Sequence, residues 1–471
     1  VWEQVAVLDA NETDIADAFG RAVAIDGDVV VVGAPERQFR NESDLPGAAY
    51  VFERDPELGT WSQTVTIQPE PIRQTIALGR AVSTEGGHIL ISGGGEDGGV
   101  GHVVVFSRQG TGAWVSPDTL SPRAFGTAGD VQINSQFGSS LGLATATDGR
   151  PIAIVGAVSD DGGSSNSVYN VGRALVYARG DDGRWAAEAE LAHPDTLQGD
   201  DNGWSVAIAA GHGPDRTAVA VVSAIGGAGP AGRTGAVHVY VRDGAGQWTH
   251  EDILTADDAV PGDQLGWCTA LARTERGHVV ISSARNDWHS GLRFAGSAYV
   301  FVRDTADAVP EWRQVAKLIA SDAVETQYFG ALTGNDGHCT AISESGMGLV
   351  GSTYSRRSGW PNGSVYAYDL SAWVPVVSEN TLKRRQDMRL EVVPNPVRQL
   401  ARITYALATP AAVRLSVHDT LGREVAVLRD TRQLDGEHMA EWTPDGLAAG
   451  VYLVRLRAGD EVRTRRMTVV R

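Results

Sequence analysis

The 471-residue chain holds 58 acidic and 40 basic side chains, a net charge of −18, with 56 glycines and 42% hydrophobic residues. Its length allows two or more domains with large cores. The composition is that of a turn-rich folded protein rather than a disordered one, and no apolar run approaches the ~18 residues of a membrane helix. The charge is uneven: residues 1–373 carry 46 acidic and 24 basic groups, a balance of −22, whereas residues 391–471 carry 12 Arg and 10 acids. A surface so acidic argues against nucleic acid as a partner. The first residue is Val1 rather than Met, which fits a removed signal peptide.

From the first residues to about 373 the sequence repeats itself. Trp recurs at Trp2, Trp61, Trp114, Trp185, Trp248, Trp312 and Trp373. Glycine recurs at Gly20, Gly79, Gly138, Gly203, Gly266 and Gly330, three times after Phe. A glycine followed by alternating small, β-branched and aromatic residues opens 47–52, 101–106, 172–177, 235–240, 296–301 and 363–368. Each unit reads as four strands. In the first, 2–8 alternates, 20–25 follows, 28–33 (DVVVVG) is a continuous run suited to a strand covered on both faces, and 48–52 completes it. Asp26-Gly27 is a hairpin signal, and helical periodicity is lacking. Four strands in about 60 residues, repeated six times, predict a β-propeller, because one blade cannot cover its own faces and ringed neighbours can. Six blades close if 2–8 pairs with 363–368; seven follow if 373–377 completes the sixth.

The pairing of Phe19-Gly20 with Val32-Gly33-Ala34-Pro35, repeated as Phe137-Gly138 with Val155-Gly156-Ala157, resembles the FG-GAP repeat of integrin α-chain propellers and bacterial surface proteins. The resemblance covers residues 1–373 and implies a binding or adhesion role. Calcium loops found in many such repeats are not matched: the turns at Asp26-Gly27-Asp28, Glu85-Gly86-Gly87 and Asp148-Gly149-Arg150 are too short for 6–8 oxygen ligands. No cofactor is expected. Asp160-Asp161-Gly162 and Asp257-Asp258 with Asp263 are acidic loops, either solvated or weak calcium sites.

Motifs for nucleophilic, phosphate or metal chemistry are lacking, so a binding protein is expected before an enzyme. A polysaccharide-active hydrolase or lyase on the same scaffold, and a structural subunit of a surface layer or filament, are the alternatives. The two cysteines, Cys268 and Cys339, fall at equivalent first strands of neighbouring units. They form a disulfide if the strands approach within about 7 Å, and are otherwise two small buried residues. Trp204 and Trp267 directly follow repeat glycines and are placed at the axis or capping a face. Trp288 and Trp360 fall in loops beside Arg285, His289, Arg356 and Arg357. Aromatic-plus-Arg loops on one rim suit a protein or glycan ligand, so Trp288, Trp360, Arg356 and Arg357 are the candidate ligand-binding residues.

Residues 374–390, with Lys383-Arg384-Arg385, read as a linker. Short alternating strands follow at 401–407, 413–419, 424–428, 438–442, 450–456 and 463–470, separated by glycine turns, as in a small Ig-like β-sandwich. Pro394-Asn395-Pro396, 403–405 (ITY), 417–425 with Asp419 and Gly422, Gly450-Val451-Tyr452 and the terminal 466–471 (RMTVVR) closely resemble, in order, the type A sorting domain of the type IX secretion system. The resemblance implies export across the outer membrane of a Bacteroidetes-like Gram-negative bacterium by that machinery. It also implies cleavage within 374–393 and residence outside the cell or on its surface.

Overall fold

The computed structural model describes the chain except residues 1–5, 12–16, 37–46, 57, 69–76, 94–100, 110–111, 123–134, 160–170, 192–196, 212–215, 230–231, 275–276, 305–310, 332–338, 353–362, 371–388, 394, 408–410, 420–422, 434–435, 445, 459–460 and 471. Every named element among the described residues is a β-strand, and the chain divides into two compact units, Val1–Pro375 and Val376–Arg471.

In the first unit six antiparallel sheets follow the six repeats. Sheet 1 runs Ala22–Asp26, Val29–Ala34, Ala48–Arg54, Trp61–Ile67, and sheet 2 Val82–Glu85, His88–Gly93, His102–Gln109, Ala113–Leu120. Sheet 3 is Phe137–Thr145, Pro151–Ala157, Arg173–Arg179, Trp185–Leu191, and sheet 4 Asn202–Ala210, Ala218–Ala224, Ala236–Arg242, Trp248–Leu254. Sheet 5 is Leu265–Thr274, Gly277–Ala284, Ser297–Asp304, Trp312–Leu318. Sheet 6 has three described strands, Thr340–Ile342, Met347–Ser352 and Ser364–Asp369. Sheets 1 to 5 each start within three residues of a repeat glycine. In sheets 1, 3, 4 and 5 the last strand opens on a repeat Trp, and in sheet 2 that Trp is the strand's second residue. The Trp strand therefore closes a blade. First strands of successive sheets lie against one another, the arrangement of four-stranded propeller blades. Residues 2–5 and 373–377, on which a count of six or seven turns, lie outside the described residues.

The apolar runs are explained by cover on both faces. Ala218–Ala224 is buried throughout. Its Val222, with Val206 and Tyr240, packs on Ile152, Ile154 and Val176 of sheet 3, while Val219 and Val221 pack toward Val280, Tyr299 and Phe301 of sheet 5. Each fully buried Val or Ile contributes about 1.5–3 kcal/mol relative to exposure.

The repeat glycines permit blades to touch through backbone. A Cβ on Gly47 would stand 2.3 Å from the Leu78 nitrogen, and one on Gly79, at φ +96°, 2.3 Å from the Ala48 carbonyl oxygen. Only a residue without a side chain fits there. The parallel bridge Gly47↔Leu78 that results recurs as Gly172↔Asn202 and Gly235↔Leu265.

The repeat tryptophans rivet neighbouring sheets. The indole N–H groups of Trp114, Trp248 and Trp312 donate to Glu53, Glu188 and Glu251 of the preceding sheet, at 3.0, 2.8 and 3.3 Å. An arginine joins each carboxylate: Arg108 at Glu53, Arg242 at Glu188, and Arg216 with Arg303 at Glu251. Burial alone would raise the Glu251 carboxyl, but the Arg216 and Arg303 guanidiniums hold it below its ordinary value. Trp185 has no such acceptor among the described residues and meets the His88 ring edge-on at 5.8 Å instead.

The second unit packs two sheets face to face. One holds Arg389–Val393, Ala401–Leu407 and Gly436–Trp442; the other holds Glu424–Gln433, Ala411–His418, Gly450–Ala458 and Glu461–Val469. Val397, Ile403, Tyr405, Leu415, Val454, Leu456 and Met467 fill the space between them, which makes a β-sandwich. Its first strand begins at Arg389, two residues before the expected start at Glu391, because Arg389 and Leu390 continue the ladder opposite Ala406 and Tyr405.

Candidate functional site

The connection from the second to the third strand of sheet 5, residues 285–296, carries Trp288, which is 54% exposed. Its side chain ends a continuous series of aromatic and guanidinium contacts that starts in the interior. The rings of Trp204 and Trp267, on the first strands of sheets 4 and 5, lie 4.6 Å apart and are buried with Val158 and Ile225. The Arg285 guanidinium covers Trp267 at 4.2 Å and Tyr328 at 4.8 Å. Tyr328 stacks on Phe294 at 6.0 Å, and Phe294 meets Trp288 edge-on at 5.8 Å. Arg293 lies over the Trp288 ring at 4.6 Å. Each such contact contributes about 0.5–1.5 kcal/mol, so the series is a rigid ladder more than a source of stability. The indole nitrogens of Trp204 and Trp267 and Nε of Arg285 are buried without a hydrogen-bond acceptor among the described residues.

The backbone around the ladder is unusual. Nine described non-glycine residues have left-handed φ, and six of them (Ala18, Ala77, Gln136, Asp201, Gln264 and Tyr328) precede a repeat glycine by two positions. The other three, Ser290, Phe294 and Thr326, all lie in the two segments that form the ladder. Strain of this kind clusters where a fold holds side chains for recognition. The surroundings enforce it. Arg293 and Phe294 carbonyls accept from the Thr326 and Tyr328 amides at 2.8 and 3.0 Å, and the Ala295 carbonyl from Phe329 at 2.8 Å. His289 Nε2 lies 3.2 Å from the Gly296 carbonyl oxygen.

Asp287, beside Trp288, is buried and anchors the loop through the Ser297 hydroxyl and Lys317 Nζ, the latter at 2.9 Å. Lys317 also donates to Asp258 at 2.6 Å, and the Tyr299 hydroxyl donates to the same carboxylate at 2.8 Å. Burial opposes these charges, but the hydrogen bonds win: Asp258 lies below its ordinary pKa and Lys317 above it. Asp263 is pushed up by burial, and the nearby Asp287 charge adds to the rise. The ammonium of Lys317 thus pairs with Asp258, in the acidic loop read from sequence as either solvated or a weak calcium site. Among the described residues no group of three or more His, Cys, Asp or Glu converges on a metal position.

Cys268 and Cys339 form a disulfide with Cα atoms 5.5 Å apart, so the first strands of sheets 5 and 6 approach closely enough for a bridge. It lies in the same buried cluster as Trp204 and Trp267. Of the other candidates, Arg356, Arg357 and Trp360 lie outside the described residues, as do Asp160, Asp161 and Gly162. The strands flanking 353–362 are the second and third of sheet 6, the same connection that carries Trp288 in sheet 5. Reading the sequence missed Arg293, Phe294 and Tyr328. Tyr328 sits beside Phe329-Gly330 and reads there as part of the repeat, and no spacing rule joins 294 to 328.

In the second unit the motif residues meet. Asn395 Nδ2 donates to the Arg466 carbonyl at 3.0 Å, and its Oδ1 accepts from the Thr468 amide at 2.9 Å. The segment after the cis Asn395–Pro396 bond then bridges Val397 to Val469. The first and last motifs of the domain thus form one clamp. Asp419 closes its turn on Arg423 at 2.7 Å, and the Tyr452 hydroxyl donates to the Ala448 carbonyl at 2.9 Å. A Cβ on Gly450 would meet nothing within 4 Å. Pro394 and Gly422 lie outside the described residues.

Residues 2–52 and 248–301 match the FG-GAP repeat, and residues 391–470 match the secretion system C-terminal sorting domain. Among solved structures the chain is similar to PorZ, an essential surface component of the type-IX secretion system of Porphyromonas gingivalis. Identity there is 12%, covering 98% of this chain and 61% of that one, at a TM-score of 0.41. The chain thus spans about three fifths of the length of PorZ. A sucrose-6-phosphate hydrolase from Lactobacillus gasseri gives 10% identity over 81% of this chain and 82% of that one, TM-score 0.34. A β-fructofuranosidase from Bombyx mori gives 11% over 95% and 82%, TM-score 0.29. No curated protein sequence matches the chain.

Proposed function

We infer that this chain, which carries FG-GAP repeats and ends in a type IX secretion sorting domain that marks export to the cell surface or beyond, is a surface or released binding protein recognising a protein or glycan through its loops. The observation that carries the reading is the ladder from the buried Trp204–Trp267 pair to the exposed Trp288. A large aromatic held on a rigid, strained loop and left open to solvent is the anatomy of a recognition hot spot. The candidates Arg356, Arg357 and Trp360 fall, by sequence, in the equivalent connection of sheet 6. A propeller over 1–373, a linker from 374 and a terminal domain whose first strand opens at Arg389 go with it, that domain being the address read by the secretion machinery.

Binding is favoured over catalysis by the carboxylates bound to Lys317 beside the Trp288 loop. Asp258 and Asp287 share the Lys317 ammonium rather than facing each other across an open space, as a pair for glycoside hydrolysis would. The test is a screen of the purified chain on glycan arrays and against outer-surface proteins, repeated with Trp288→Ala. Binding that the substitution removes supports the reading. Release of reducing ends from a polysaccharide would favour the enzyme, and concentration-dependent growth in light scattering would favour a filament or layer subunit. The mass of protein recovered from culture medium reports whether 391–471 is removed after export.

A further inference from the structure

We propose that the Trp288–Arg293 pair is a subsite for a carboxylated sugar, with the pyranose ring stacked on the exposed indole and its carboxylate on the Arg293 guanidinium. The proposal deepens the binding role inferred above and rests on it.

Arg293 is exposed, lies 4.6 Å from the centre of the Trp288 ring, and has no carboxylate partner among the described residues. On the neighbouring sheet Arg233 takes Asp200 at 3.1 Å, and elsewhere Arg54, Arg108, Arg173, Arg216, Arg242 and Arg303 all have carboxylates. The loop does not need the Arg293 charge for its shape. Its backbone is fixed by the Thr326, Tyr328 and Phe329 amides, and Asp287 is tied to Ser297 and Lys317. A guanidinium held over an indole by a preorganised loop offers a planar apolar surface beside a bidentate cation.

The ligand chemistry follows from that pairing. A neutral sugar would use the indole and leave the cation unpaired. A protein carboxylate would use the cation, but the ring beside it asks for a flat apolar face. A uronic or sialic acid carries its carboxylate one bond from a pyranose ring and presents both groups together. Arg285, whose guanidinium lies behind the platform over Tyr328, adds positive potential without a carboxylate of its own among the described residues.

The experiment is calorimetric titration of the full chain with a panel of trigalacturonate, a guluronate trimer, a hyaluronan tetrasaccharide and sialyllactose, each beside its carboxyl-reduced form. At least one acid should bind at least tenfold tighter than its reduced form. Trp288→Ala should weaken that acid at least tenfold. Arg293→Ala should do the same while leaving the reduced form unchanged, and Arg293→Lys should recover part of the loss. Thermal melts of the variants separate lost binding from lost fold. Equal affinity for acid and reduced forms would overturn the carboxylate assignment while leaving a glycan-binding role intact. Silence of the whole panel, or Arg293-dependent binding of an acidic peptide alone, would also overturn it, the latter identifying a protein partner.

Discussion

Residues 225–235 and 285–296 make the same connection, from second to third strand, on the adjacent sheets 4 and 5, and their arginines are used in opposite ways. In the first, a small hairpin of Ala228–Gly229 and Gly232–Arg233 turns Arg233 onto the nearly buried Asp200 at 3.1 Å. In the second, Arg285 and Arg293 lie on aromatic rings, and a buried aspartate, Asp287, is served by Lys317 instead. The blades beneath are alike: Gly235 and Gly296 both open a third strand, both at positive φ. The scaffold therefore sets where a loop emerges, while the residues between the strands decide whether a cation is consumed internally or left for something outside. Single substitutions can test that contrast.

The largest effect is expected at the disulfide, which joins sheet 5 to sheet 6 below the ladder, whereas sheet 4 has no such staple. Cys268 and Cys339 are separated by 71 residues, and closing a loop of that length disfavours the unfolded chain by about 4 kcal/mol. Replacing both by Ala should lower the urea midpoint accordingly, and reductant should then no longer change it. An unchanged midpoint, or two free thiols by non-reducing mass spectrometry, would remove the distinction between the two sheets.

A smaller, paired effect addresses the arginines themselves. Arg233→Ala leaves the Asp200 carboxylate nearly buried without its cation and should cost about 1 kcal/mol, a modest figure because Arg233 is itself 45% exposed. Arg293→Ala should stay within about 0.5 kcal/mol, as expected of an exposed side chain whose role is not structural. Urea melts of both variants give the comparison directly. If Arg293→Ala proved the more costly, its guanidinium would be holding the loop together, and the two loops would not differ in kind.

How much of this was legible beforehand differs between scaffold and site. The repeat glycines and tryptophans mark the blades because each answers to a local demand that recurs: a backbone contact at Gly47 and Gly79, an indole donor to a glutamate at Trp114, Trp248 and Trp312. Asn395 was readable as a motif residue, though its clamp on Arg466 and Thr468 spans more than 70 positions and has no periodic signature. Trp288 stood out because it breaks the repeat. Its partners did not, since Phe294 and Tyr328 come from different sheets and meet only through the left-handed backbone at 294 and 326. Lys317 was countable as a rare lysine, but its double pairing to Asp258 and Asp287 depends on three separate segments.

The least of the expected effects concerns Asp201, which stands two positions before the repeat glycine of sheet 4, where sheet 5 has the neutral Gln264. Burial raises the Asp201 carboxyl to about 6 from an ordinary 3.8, and the adjacent Asp200 adds to the rise against the pull of Arg233. Between these two values the folded chain keeps a proton that the unfolded chain has released, so stability falls as pH rises through this window and the full penalty remains above about 6. Asn has nearly the same shape and tolerates the left-handed φ of +52°. Asp201→Asn should therefore stabilise the protein by roughly 1 kcal/mol at neutral pH, after allowance for solvent screening, and by nothing below about pH 4. Melts across that range give the sign. A variant less stable than the parent at pH 7 would mean that the Asp201 charge is wanted by Arg233, and that loop arginine would then be serving two carboxylates where Arg293 serves none among the described residues.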